Sequence, residues 1–188
     1  ETAAPTAGRG SSGAGTTTAF VMAGGYAPGT STAAFDYDGT SWTATGAINT
    51  GRAWPGGGGS QTAALMIGGA PVAPAGNKTE TYDGSTWTEV AATNTKRDGP
   101  GLSGGQVAQT TEITFGGATG SPGGGTVTVN AEQWNGTSWT EVGNLATARR
   151  ILGSGGPNGT AALAFGGGQP APSTALTEEF STPNAIKT

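Results

Sequence analysis

Four short apolar runs punctuate the chain, and each ends in a glycine pair: FVMAGG at 20–25, ALMIGG at 64–69, EITFGG at 112–117 and ALAFGG at 162–167. A run that is apolar at consecutive positions and only four to six residues long predicts a strand buried on both faces. Downstream of each run the pattern becomes polar around a single aromatic, at Tyr37, Tyr82, Trp134 and Phe180. A tryptophan follows five residues later at Trp42, Trp87 and Trp139. Between the two aromatics lie DGTS, DGST and NGTS, and Asp-Gly or Asn-Gly favours the positive φ that a tight hairpin needs. Each unit therefore predicts four short strands. The first is the least distinct, because glycine tracts such as WPGGGGSQ blur it. The nearest approach to a helical segment, ATARRIL at 146–152, is too short to stand as one.

The spacing is regular where structure is expected and irregular where loops are. The first glycines fall at 24, 68, 116 and 166, in steps of 44, 48 and 50 residues. An arginine follows each tryptophan by ten residues, at Arg52, Arg97 and Arg149. The distance from glycine pair to aromatic varies, and the intervening YAPGTSTA (26–33), APVAPAGNK (70–78) and GATGSPGGGTVT (117–128) have loop composition. A repeat of this length with four strands, a Gly pair and a Trp is the signature of a propeller blade. The reading is one all-β domain, 1–188, with units of approximately 1–48, 49–93, 94–145 and 146–188. Tyr37, Trp42, Tyr82, Trp87, Trp134, Trp139 and Phe180 are then the packing between blades, because large aromatics dominate core energetics. The competing reading is an exposed platform for stacking sugars.

The residues Gly68–Gly69, Tyr82, Trp87 and Arg97, with their counterparts in the other units, resemble the Kelch repeat over nearly the whole chain. The resemblance implies a Kelch-like β-propeller with four blade-like repeats. The stretch GTSWTEVGNLATARR…AALAFGG (136–167) is also similar to Kelch-type repeats in structural proteins of aquatic tailed bacteriophages. Both ends depart from the pattern. Arg9 occupies the arginine place with no tryptophan ahead of it, and Ala185 stands where the last tryptophan should be. The last unit is thus expected to lack its outer hairpin, while the chain opens with an orphan outer strand. Three readings stay open: the N-terminal strand closes blade four, it pairs with another copy, or the chain is part of a longer array.

Chemistry is sparse. There is no Cys and no His, which removes disulfides, thiolate nucleophiles, Ser-His-Asp triads and the usual zinc sites. Net charge is −4 with no basic patch, so nucleic acid is not expected as a partner. No apolar run approaches the length of a spanning helix, and no basic segment suggesting a signal peptide opens the chain. Glu80, Glu132 and Glu178 lie two before the blade aromatic, and with Arg52, Arg97 and Arg149 they predict repeated structural ion pairs. Phe35 replaces the glutamate in the first unit. DYDG at 36–39 lacks the further ligands of a calcium loop and reads as a hairpin. Asn77, Asn135 and Asn158 are glycan acceptor sequons, and equally turn residues. No unique carboxylate pair suggests a glycosidase. The expectation is a non-catalytic structural or adhesive domain of a phage fibre or extracellular filament, without metal or cofactor, on a virion or cell exterior. Its partners would be copies of itself, other filament or virion proteins, or cell-surface carbohydrate. The alternative is a lectin-like propeller.

Overall fold

The computed structural model describes residues 5, 9–105, 109–120, 125–168, 173–181 and 185–187. Four antiparallel four-stranded sheets form the blades of a β-propeller. Blade one is β1 (Ser12–Thr16), β2 (Ala19–Ala23), β3 (Ala34–Tyr37) and β4 (Trp42–Thr45). Blade two is β5 (Gly56–Ser60), β6 (Ala63–Ile67), β7 (Thr79–Tyr82) and β8 (Trp87–Val90). Blade three is β9 (Gly101–Leu102), β10 (Glu112–Phe115), β11 (Ala131–Trp134) and β12 (Trp139–Glu141). Blade four is β13 (Gly153–Asn158), β14 (Ala161–Phe165), β15 (Thr177–Ser181) and β16 (Ala185–Lys187). The one short helical turn among the described residues is α1 (Val72–Ala75), in the loop between β6 and β7.

The glycine-rich tracts that blur the first strand have a steric cause. Inner strands of neighbouring blades converge on the axis with no space for side chains. A Cβ at Gly57 would lie 2.4 Å from Ser12 Oγ, and one at Gly58 would lie 2.7 Å from Gly104 Cα. The tract GGGGS is therefore a strand, β5, paired along its length with β6.

Two expectations about the ends need correction. Blade four has its own outer strand: β16 pairs with β15 through Ser181↔Ala185, Phe180↔Ile186 and Glu179↔Lys187. A backbone ladder requires neither the tryptophan nor the Asp-Gly turn, so losing both did not remove the strand. The N-terminal strand therefore does not fill that place, and residues 1–4, where the sequence put it, lie outside the described residues. Arg9 is also one position out of register with the repeated arginines. Its bridge to Tyr26 matches those of Ala53 to Ala70, Asp98 to Ala118 and Arg150 to Gly168.

The blades stack through apolar faces of fixed polarity. Val21 and Ala23 of blade one pack with Tyr82 and Trp87 of blade two. Leu65 and Ile67 of blade two pack with Trp134 and Trp139 of blade three. Ile113 and Phe115 of blade three pack with Phe180 of blade four. Blades two to four thus turn their aromatics backward, and blades one to three turn the apolar residues of their second strands forward.

The first glycine of each pair should be irreplaceable where a following blade exists. Gly116 has φ +60°, and a Cβ there would meet Arg149 O at 2.3 Å. Gly116→Ala is expected to cost well over about 1 kcal/mol. Gly155→Ala, in a strand position with nothing within 4 Å of the added carbon, is expected to be neutral or better. Urea denaturation of both variants measures the contrast.

Candidate functional site

The repeated charged residues converge inside the blades. Arg97 Nη2 meets Glu132 Oε1 at 2.7 Å, Arg149 Nη2 meets Glu178 Oε1 at 2.5 Å, and Arg52 pairs with Glu80. All six side chains are buried. The pairing uses one carboxylate oxygen rather than a two-pronged fork, because the second guanidinium nitrogen serves the backbone. Arg97 Nη1 donates to Gly116 O and Asn130 O at 2.7 and 2.8 Å. Arg52 and Arg149 do the same to Gly68 and Lys78, and to Gly166 and Leu176. Burial lowers the pKa of Arg52 and Arg97, and the neighbouring Glu80 and Glu132 oppose that shift.

Two further members escaped the sequence reading. Asn49 and Asn94 each lie three residues before an arginine, and that recurrence was visible in the sequence. Asn94 donates its backbone and side-chain N–H to Glu132 Oε2 at 2.7 and 2.9 Å, and Asn49 does so to Glu80. Ala146 holds this place in blade four and supplies the backbone N–H alone.

The aromatic residues do not share one environment. Tyr82–Trp87 and Trp134–Trp139 are buried pairs with ring centroids 4.9 and 5.3 Å apart. Tyr82 donates its hydroxyl to Asp36 Oδ2 across the first seam, and Trp139 Nε1 donates to Thr79 Oγ1 across the second. Phe180 is buried on blade three. Tyr37 and Trp42 form the same pair, 4.9 Å apart, yet remain half-buried, because among the described residues no blade covers them.

The turn residues act locally. Asp38 Oδ1 accepts from the backbone N–H of Thr40 and Ser41, so DYDG closes a hairpin, and these bonds hold the Asp38 pKa below its usual value. Asn135 and Asn158 accept from N–H groups of their own turns. Asn77 is half-buried, and its carbonyl accepts from Thr93 N–H.

One surface gathers the exposed Tyr26 and the half-buried Trp54. Tyr26 and Trp54 stack with centroids 6.2 Å apart and planes within 20°. The exposed Arg9 guanidinium lies 5.7 and 5.9 Å from their ring centres. Tyr26, Thr30, Trp54, Ala70 and Pro71 line a cleft there. The variable segments 26–33 and 70–78 thus meet at one place. The third segment, 117–128, contributes nothing to this cleft among its described residues. Trp54 takes φ +53°, at the position where the other blades have Gly10, Gly99 and Ile151. A bulky residue in that backbone region is strained, and such strain concentrates at functional positions.

No protein-family model matches the chain, and no curated protein matches it.

Two expectations follow from the buried polar groups. Arg97→Met leaves Glu132 charged and unpaired by its guanidinium, and should cost about 3–5 kcal/mol, whereas replacing both residues by apolar side chains should recover most of the loss. Chemical denaturation of the single and double variants measures this. Glu112 is buried where blades two, three and four meet, with Oε2 held by Ser103 and Gly104 and Oε1 without a hydrogen-bond partner among the described residues. Burial raises its pKa from 4.5 to about 7. Between those values the folded chain keeps a proton that the unfolded chain has released, so this group lowers stability as pH rises through that window. Glu112→Gln should therefore be stabilising at pH 8, by up to about 3 kcal/mol, with the gain vanishing near pH 4. Thermal melts of both proteins across pH test it.

Proposed function

We propose that this chain is a Kelch-type propeller serving as a non-catalytic structural and adhesive domain of an extracellular filament or phage fibre. The observation that carries the reading is the convergence of two variable loops on the Arg9–Tyr26–Trp54 ledge, outside a framework whose repeated charges face inward. Loops held by a rigid scaffold are where recognition resides. The framework supports the structural half: buried arginines and glutamates tie strands together and leave the loops free to differ. Its partners are other copies of the chain or neighbouring filament or virion proteins, and its place is a virion surface or cell exterior.

The ledge also favours a second reading, a lectin-like module. A flat aromatic pair, one ring exposed and one half-buried, beside a guanidinium suits the apolar face and hydroxyls of a sugar ring. Under this reading the ligand is cell-surface carbohydrate. The aromatic pairs of blades two and three take no part, because neighbouring blades cover them.

The test is binding of the purified chain to a printed array of microbial surface polysaccharides. Tyr26→Ala should weaken any binding at least about tenfold, a loss of about 1.4 kcal/mol. Trp54→Gly should do the same while keeping the melting temperature within about 4 °C, since glycine accepts the left-handed backbone without strain. Binding that survives both variants would exclude the ledge as the recognition surface. Turnover of an arrayed polysaccharide would contradict the non-catalytic reading.

A further inference from the structure

The seam between blades four and one differs from the other three. Val21, Leu65 and Ile113 hold one position on the forward faces of blades one to three, and Ala23, Ile67 and Phe115 hold another. All are at most 1 % exposed. Their counterparts on blade four, Leu163 and Phe165, are 44 % and 45 % exposed. The strands of blade four alternate accordingly: Ala162, Ala164, Glu178 and Phe180 are buried toward blade three, while Leu163, Phe165, Thr177 and Glu179 face outward. Behind blade one, Phe20, Tyr37 and Trp42 line an uncovered apolar cleft with Gly15, Thr16 and Thr17.

The backbone at the axis shows the same break. Trp54 N–H donates to Gly10 O, Gly99 N–H to Trp54 O, and Ile151 N–H to Gly99 O. The run does not return from Gly10 to Ile151 among the described bonds. The glycine pairs agree. Gly25, Gly69 and Gly117 donate to the carbonyls of Arg52, Arg97 and Arg149, each of which opens the following blade. Among the described residues no carbonyl of a following blade meets Gly166, where the nearest approach to a Cβ is Thr174 O at 3.8 Å.

We infer that blade one of a second copy of this chain seats on blade four of the first, head to tail, continuing the same seam. The two faces already carry the groups that the internal seams use. Glu179 occupies the position of Asp36, which accepts the Tyr82 hydroxyl, and Tyr37 occupies the position of Tyr82. Thr177 occupies the position of Thr79, which accepts Trp139 Nε1, and Trp42 occupies the position of Trp139. A second copy thus brings a hydroxyl to Glu179, an indole N–H to Thr177 and an aromatic pair to Leu163 and Phe165. The contact joins two different patches, so it propagates into a filament or a ring of copies rather than stopping at a symmetric dimer. This rests on the structural reading proposed above and names the partner as the chain itself.

Complementation between two blocked variants tests it. Leu163→Asp spoils the forward face, and Trp42→Asp spoils the rear face. Sedimentation velocity of the unmodified chain, from about 1 μM to about 1 mM, should show growth from 18.2 kDa to multiples of that mass. Each variant alone should remain monomeric, and an equal mixture should form a dimer and nothing larger. A monomeric unmodified chain overturns the proposal. So does a mixture that stays monomeric, or a Trp42→Asp protein that still dimerises, which would mean forward faces pairing with each other. If Trp42→Asp does not fold, the absence of native cysteine permits a second route. Tyr37→Cys and Glu179→Cys proteins, mixed and joined by a short bismaleimide that spans the reach of the replaced side chains, should give the mixed crosslinked dimer in large excess over either homodimer. Equal amounts of all three overturn the proposal. Polysaccharide binding is read separately, so a monomer that still binds fails this inference alone, and an oligomer that binds nothing fails the adhesive reading alone.

Discussion

The structure depends on one repeated contact, in which the arginine opening each blade joins that blade to the one before it. Its backbone carbonyl accepts the N–H of the previous blade's second glycine, at 2.8–2.9 Å in all three seams. Its guanidinium reaches into its own blade, to the carbonyl of the first glycine and to a glutamate two residues before the aromatic. The two ends of one residue thus couple neighbouring sheets. The glycine pair is the other half of the device. The first has no room for a Cβ beside the arginine carbonyl, and the second turns its N–H toward it. Burying a charge is costly unless it is paired and hydrogen-bonded. Carbonyls and glutamates meet most of that requirement, with asparagines in blades two and three, while Arg97 Nε and Arg149 Nε have no hydrogen-bond partner among the described residues.

Much of this was legible in the sequence because it repeats at fixed distances. The glycine pairs, the aromatics, the arginines and the glutamates recur in step, and a recurring step in a chain with little charge implies that the residues meet one another. The asparagines at 49 and 94 recur too, but two copies among many polar loop residues make a faint signal, and Ala146 breaks the series. What the sequence concealed lies mostly at the ends. A backbone ladder carries no side-chain signature, so β16 could not be read from a segment lacking Trp and Asp-Gly. Arg9 looked like a member of the arginine series because a shift of one residue is invisible until strand register fixes it.

Position in the stack then decides what identical residues do. The pair Tyr82–Trp87 is core because blade one covers it, while no blade among the described residues covers Tyr37–Trp42. Leu163 would be as buried as Leu65 if a fifth sheet followed. Exposure at the two ends is a consequence of repetition, since every unit is built to receive a neighbour on both faces. Trp54 departs from the repeat in another way. It places an indole in a backbone conformation that glycine adopts in blades one and three, where it borders both the loop cleft and Gly10 of blade one at the axis.

The measurement that tests the arginine–glycine staple most directly is native-state amide hydrogen exchange, resolved by residue. If the staple holds the blades together, the amides of Gly25, Gly69 and Gly117 exchange only through global unfolding, with protection equal to that of the β6 and β10 core amides. The amide of Gly29, in the loop after β2, exchanges orders of magnitude faster. Glycine-pair amides that exchange at the rate of Gly29 would show that these bonds open while the fold persists, and would contradict the account.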